Sequence, residues 1–368
     1  MKKLMMLGFL TCPLLAHAYV LPICESDTFS QTIKQKYDSI DCGSHHGLFI
    51  TENAKNLLGA IDNKGKIIID NEYEQIDVQD NYPYFYIQKN NLWGVTDNKG
   101  KILIPPIYTQ IQPYHENTGV FVVEKRGKWG IVNQHNQIVQ DFNYSRIDAF
   151  SDGLASACKN NQCGYLDKNG KTVINFIYQD AYHFNKNYDL ALVKNNTSYQ
   201  FINKQNKAIL SFNHKDNIIP DQNIINGFIT VNFYDKKSNN EYFGLYNTHG
   251  KIILSPIYEY IYYDKEKLPI IVKKDGKYGL YNKNGKKLLD EKYTFIDSYN
   301  CGVAQIIQTI GGQEQIGYID IHGKFVIDFN QKPQLIKTSD ALAHLKINSK
   351  DKSCQEITSE PMIEIFND

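Results

Sequence analysis

Short apolar runs bounded by polar clusters recur along the chain, and none persists at a helical period. Lys66-Ile67-Ile68-Ile69 and Lys251-Ile252-Ile253-Leu254 are typical: short, β-branched and closed by turn residues, as strands are. No long stretch carries apolar residues at a 3.6-residue spacing between caps. The best short helical candidate is Ser339 to Leu345, with Ser339 as N-cap. The pattern predicts an all-β protein.

The runs are copies of one another. Gly59, Gly94, Gly130, Gly164, Gly244, Gly279 and Gly317 anchor seven copies, and Gln200 fills the same slot in a degenerate eighth; successive anchors lie 34 to 44 residues apart, most near 35. Three residues after each anchor stands Asp or Asn: Asp62, Asp97, Asn133, Asp167, Asn203, Asn247, Asn282 and Asp320. Six after stands Gly or Asn, as in Gly65, Gly100, Asn136, Gly170, Asn206 and Gly285. Fourteen after stand Tyr73, Tyr108, Tyr144, Tyr178, His214, Tyr258, Tyr293 and Gln331. Asp or Asn followed three residues later by Gly is hairpin chemistry, because the side chain bonds its own turn and Gly takes the positive φ. A glycine inside a strand marks a bulge or a close backbone approach. The residue before the anchor is large in most copies (Leu58, Trp93, Trp129, Tyr199, Phe243, Tyr278, Ile316), and this column reads as a stacked core ladder.

At Trp93-Gly94 and Trp129-Gly130, at the turn from Asp97 to Lys101, and at the Tyr-x-x-Ile elements beginning at Tyr73, Tyr108, Tyr144, Tyr258 and Tyr293, the chain resembles the bacterial WG-repeat family. The resemblance covers roughly residues 37–334 and departs from the pattern at Leu58, Cys163, Phe243, Tyr278, Ile316 and Gln200. It implies a repetitive β architecture and no reaction, cofactor or catalytic residue.

A unit of about 35 residues provides three or four strands and cannot bury its own apolar face, so neighbouring units must cover it. Eight such units in a curved, open, solenoid-like array are expected; the alternative is closure into a β-propeller, whose units usually run longer. The expected organisation is a signal peptide over 1–18, an N-terminal cap with a partial repeat over 19–56, the array over 57–334, and a C-terminal cap over 335–368. The signal rests on Lys2 and Lys3, the apolar stretch Leu4 to Leu15, and the small-x-small pattern Ala16-His17-Ala18. It predicts export to the periplasm or the outside. No other apolar run is long enough to span a bilayer.

The chain has 40 Lys and Arg against 40 Asp and Glu, a balance that argues against nucleic-acid binding. In an exported chain, the six cysteines beyond the signal (Cys24, Cys42, Cys158, Cys163, Cys301 and Cys354) point to disulfides. Cys158 and Cys163 flank a hairpin loop and are expected to pair; Cys24 with Cys42 and Cys301 with Cys354 would staple the two caps, with the connectivity beyond Cys158–Cys163 left open among the fifteen pairings six cysteines allow. A half metal site at Cys158 and Cys163 is the lesser reading, since no second Cys or His pair follows at a useful spacing. His45-His46 are adjacent and should not converge. The Asp/Asn-x-x-Gly turns offer too few oxygens for calcium. No nucleophile elbow, phosphate loop or zinc-protease helix is present. No metal or cofactor is expected. Tyrosine is abundant, with 26 residues, and runs such as Tyr258 to Tyr263 exceed what one strand face buries. Tyr260 and Tyr262 are therefore the candidate binding surface, for a protein or glycan partner. The functional expectation is a non-catalytic binding protein, with an enzyme acting on envelope material or a structural envelope component as the alternatives.

Overall fold

The computed structural model describes residues 29–330 apart from 42, 80, 115–117, 264–268 and 301. The signal sequence, cap residues 19–28 and 335–368, the helix candidate at Ser339, and Cys24, Cys42, Cys301 and Cys354 lie outside the described residues. Nearly all regular structure in the described chain is strand, arranged as eight four-stranded antiparallel sheets in tandem. In chain order, sheets 1 to 8 span 39–73, 75–108, 110–144, 146–178, 180–213, 218–258, 260–293 and 295–330. Two compact units divide after Ala149, with Lys168–Gly170 belonging to the first.

Local chemistry accounts for each sheet. The second and third strands are joined by tight hairpins whose two central residues both take positive φ: Asn90-Asn91, Arg126-Gly127, Asn160-Asn161, Asp275-Gly276 and Gly311-Gly312. That is the turn whose twist matches flanking strands, and Asn, Asp and Gly tolerate it. The third and fourth strands are joined by the Asp/Asn-x-x-Gly turn. Asp97 Oδ1 accepts from the backbone N–H groups of Lys99 and Lys101, both at 2.9 Å. The same oxygen of Asp62, Asn133, Asn247, Asn282 and Asp320 makes the same two bonds in its own copy.

The anchor glycine faces a bulge. Trp93 pairs with Tyr108 and Val95 with Ile104, so three residues of the fourth strand stand opposite Gly94 alone. The same shift recurs opposite Gly59, Gly164, Gly244 and Gly279. The bulged strand folds across the glycine: a Cβ on Gly94 would lie 2.5 Å from the Ile104 carbonyl and 2.7 Å from the Pro106 nitrogen. Both atoms are backbone and cannot rotate away.

Two columns differ from the sequence expectation. The residue before the anchor is half-buried at Leu58, Trp93, Trp129, Tyr199, Phe243, Tyr278 and Ile316, and buried only at Cys163. The core ladder is instead made by the residues after the anchor (Ala60, Val95, Ile131, Tyr165, Phe201, Leu245 and Leu280) together with the tyrosines Tyr73, Tyr108, Tyr144, Tyr178, Tyr258 and Tyr293. The residues on either side of the anchor share a strand face, but the one before it lies nearer the hairpin end, where Leu58, Trp93, Tyr199 and Tyr278 pack against the core clusters without being enclosed by them. In the degenerate copy His214 does not hold the tyrosine slot. It opens a short 3-10 turn, His214–Asp216, and Phe212 pairs with Tyr199 in its place, 4% exposed.

Within each unit, neighbouring sheets bury apolar faces against each other. In the first unit, Tyr86, Val95 and Ile104 of sheet 2 pack with Phe121, Val123 and Val132 of sheet 3. In the second, Leu245 and Leu254 of sheet 6 pack with Ile270 and Val272 of sheet 7, and Ile271 and Leu280 with Ile306 and Ile319 of sheet 8. Each fully buried Ile, Leu or Phe contributes about 1.5–3 kcal/mol. On the near side of sheet 1, Phe29, Ile33, Tyr37 and Ile40 cover Phe49 and Ile61. Ile33 lies on the four-residue helix Gln31–Lys34, an element the periodicity does not predict.

Candidate functional surface

The tyrosine column also links successive repeats. Tyr108 donates to Asn136 Oδ1 at 2.7 Å, and Tyr178 donates to Asn206 Oδ1 at 2.5 Å. In both cases the acceptor stands six residues after the next anchor, where other copies have glycine, at φ 57° and 61°. Asn meets both demands: it takes the left-handed conformation and offers an acceptor to the preceding repeat. Burial raises the hydroxyl pKa of all six column tyrosines. For Tyr73 burial first, and then the Glu72 carboxylate, push it up to about 12.

The richest titratable network joins sheets 6 and 7. Tyr258 donates to the Tyr281 hydroxyl at 3.0 Å, Tyr281 donates to Glu291 Oε1 at 2.5 Å, and Lys287 donates to Glu291 Oε2 at 2.6 Å. Burial opposes ionisation of Glu291, but the Lys287 and Tyr281 hydrogen bonds more than offset it and hold the carboxyl below its usual value. Burial and the donation to Glu291 both raise Tyr281. Each member of this chain is bonded to another member, an arrangement that fixes side chains.

The other singled-out residues do not converge on one site. His45 Nε2 lies 2.9 Å from Asp41 Oδ2, whereas His46 Nε2 lies 2.7 Å from the Gln79 carbonyl. The two rings serve separate partners, as their adjacency implies. The turn carboxylates and amides each spend one oxygen on backbone N–H groups of their own loops. Tyr260 is 45% exposed. Tyr262 is half-buried and packs against the cluster containing Ile271, Leu280 and Tyr293. The two stand two residues apart on the strand Tyr260–Tyr262, the first more exposed than the second. A shallow concavity of about 310 Å³ is lined by Lys125, Arg126, Lys128 and Phe142 on one hairpin end of sheet 3.

What recurs on the surface is aliphatic. Of the fifteen exposed large hydrophobic residues among those described, nine lie on fourth strands: Ile67, Ile102, Ile107, Ile138, Val173, Ile177, Ile209, Ile252 and Ile257. They occupy the first or second position of the strand, or the sixth. Only Tyr234, Tyr260 and Phe295 among the fifteen are aromatic. The sequence signal for this surface is the run of isoleucines after the turn, which reads equally well as core until the face is known.

Among the described residues no helix is long and apolar enough to cross a membrane. Cys158 and Cys163 are directly opposed in the second and third strands of sheet 4 and joined by a disulfide, with S–S 2.10 Å. Cys163 fills the Trp slot, so the bridge stands where other copies place a bulky side chain.

Tandem four-stranded sheets, seven of the eight described with a bulge crossing a glycine, define a β-repeat protein. The family described as "WG containing repeat" matches residues 59–93, 93–129, 129–163, 164–197, 243–278 and 278–308. The chain belongs to this family. The matches skip 198–242, the stretch that holds the degenerate anchor Gln200. No curated protein matches the chain in sequence. Among solved structures, a eukaryotic initiation factor is similar at 13% identity and TM-score 0.38, over 67% of this chain and 73% of that one. Hsv2 of Kluyveromyces lactis with its loop 6CD replaced by a Gly-Ser linker is similar at 10% identity and TM-score 0.36, over 77% and 98%. The WD40 domain of SCAP from fission yeast is similar at 9% identity and TM-score 0.26, over 82% and 88%.

Proposed function

We propose that this is an exported, non-catalytic repeat protein that binds a protein partner through its fourth-strand surfaces. The observation that carries this reading is the exposed isoleucine at the same strand positions in sheet after sheet. Exposed apolar residues scattered singly mean little, but a recurring set marks an interaction surface. Their chemistry selects the partner class. Sugar rings are gripped by flat aromatic faces, and aromatics are the minority here; branched aliphatic side chains suit the apolar side chains of another protein. Export rests on the N-terminal Lys2-Lys3, apolar and Ala16-His17-Ala18 pattern, and the Cys158–Cys163 bridge fits an oxidising compartment.

The test is a cross-linking pull-down with residues 19–368 against envelope extract and, separately, purified cell-wall glycans. The expected result is saturable capture of a protein, abolished by the joint change Ile102→Lys and Ile138→Lys with unchanged urea unfolding, and unaffected by Tyr260→Ala. Capture of a glycan, or protein capture indifferent to the lysine pair, would overturn the reading.

A further inference from the structure

We propose that Cys158, Cys163 and Asp180 form a zinc site when the disulfide is reduced, so that this corner of sheet 4 holds either a sulfur–sulfur bond or a metal ion. Among the described residues this is the one group of three His, Cys, Asp or Glu side chains whose ligand atoms all lie within 4.8 Å of one another. The backbone builds it. Cys158 and Cys163 face each other across the hairpin, Cys163 pairs on its other side with Tyr178, and Asp180 stands two residues further on, at the start of sheet 5. Both cysteines are buried and Asp180 is half-buried, so an ion held there would be largely screened from water.

The donor set selects the metal. Two thiolates and one carboxylate suit a borderline-soft cation that takes four ligands in a tetrahedron, with water in the fourth place. Calcium and magnesium require oxygen donors and are excluded by the sulfurs. The sequence offered only the cysteine pair, because Asp180 is 17 residues beyond Cys163 and belongs to the next sheet. The charges balance closely: two thiolates and a carboxylate against a divalent ion leave one negative charge. Lys194, directly opposite Asp180 in the register, carries the positive charge nearest in the strand pairing, with its ammonium 5.5 Å over the Tyr199 ring.

Switching requires a dithiol reductant. Two electrons pass to the sulfur–sulfur bond, two Cys thiols form, and the dithiol closes to its own disulfide. Zinc then displaces the two thiol protons as the Zn–S bonds form. A disulfide oxidant reverses the sequence: it takes two electrons from the thiolates and leaves as a dithiol, the 158–163 bond re-forms, and the ion is released, since a disulfide sulfur is not a thiolate.

The test uses the full-length chain, reduced with dithiothreitol, freed of reductant under anaerobic gel filtration, and titrated with Co²⁺ as the spectroscopic stand-in for zinc. One equivalent of Co²⁺ is expected to bind with strong thiolate-to-cobalt absorption in the near ultraviolet. Zn²⁺ should bleach that signal, and the oxidised protein should not develop it. The double variant Cys158→Ser, Cys163→Ser should lose the signal, which separates this pair from Cys24, Cys42, Cys301 and Cys354. Asp180→Asn should still form the 158–163 disulfide on oxidation but weaken Co²⁺ binding by about tenfold or more. A reduced wild type without the charge-transfer band, a double-serine variant that keeps it, or an Asp180→Asn variant that binds as tightly as wild type would each overturn the proposal.

Discussion

Sheet 2 and sheet 5 are built from the same repeat and differ at its anchor. In sheet 2, Gly94 lies under three residues of the fourth strand, and the pairing jumps from Val95–Ile104 to Trp93–Tyr108. In sheet 5, Gln200 occupies that slot, and the pairing runs without a break through Tyr199–Phe212, Gln200–Ser211 and Phe201–Leu210. Glycine and bulge are thus two halves of one device. The bulge brings the outer backbone across the third strand, and only a residue without a Cβ leaves room for it. Where the bulge is absent the side chain is tolerated, and the tyrosine that would follow the bulge is replaced by Phe212, two residues nearer the anchor.

The sharpest way to break this comparison is Gly94→Ala. The new methyl would press on the Ile104 carbonyl and the Pro106 nitrogen, and a loss of about 3 kcal/mol or more in urea unfolding is expected, at the upper end of overpacking costs. Unchanged stability would mean that the bulge yields freely and is not why glycine stands there. Next in size is Trp129→Ala. Trp129 is half-buried and pairs with Tyr144, so a cost of about 1–2 kcal/mol is expected, below that of truncating a fully buried aromatic. A cost near 4 kcal/mol would restore the Trp column to the core. Tyr108→Phe tests the link between repeats: it keeps the buried ring and removes the bond to Asn136, for an expected loss of about 1 kcal/mol. If Asn136→Gly is made first, the tyrosine change should cost measurably less, and full additivity would show that the two groups are not coupled. The smallest effect belongs to Gln200→Ala, expected within about 0.5 kcal/mol of wild type. A large loss there would contradict the unbulged reading of sheet 5.

Much of the local structure was legible beforehand because it is governed by near neighbours. The Asp-x-x-Gly turns and the short strands each depend on a few consecutive residues, and the structure forms them where the columns fall. The opposed pair Cys158 and Cys163 was legible for the same reason, since it flanks a two-residue turn. The reading failed where side-chain direction mattered. Trp93 and Trp129 look like core by composition, yet both are half-buried, Trp93 packing against its cluster without being enclosed by it. Ile67, Ile102 and Ile138 also look like core, yet they open the fourth strand and face outward. Within the tyrosine runs, Tyr86 and Tyr258 are buried, while Tyr260 is exposed and Tyr262 half-buried against the core, a split that depends on tertiary packing.

The sequence by itself determined the repeat, its period, the hairpin chemistry and the glycine at each anchor, since turns and positive-φ positions are settled within a few residues along the chain. Only the tertiary structure decided which apolar residues are buried, which tyrosine reaches which asparagine, and that Asp180 stands beside a cysteine pair. Those facts depend on which sheet covers which face and on the two-residue shift introduced by a bulge, and neither is encoded in the spacing of any one repeat.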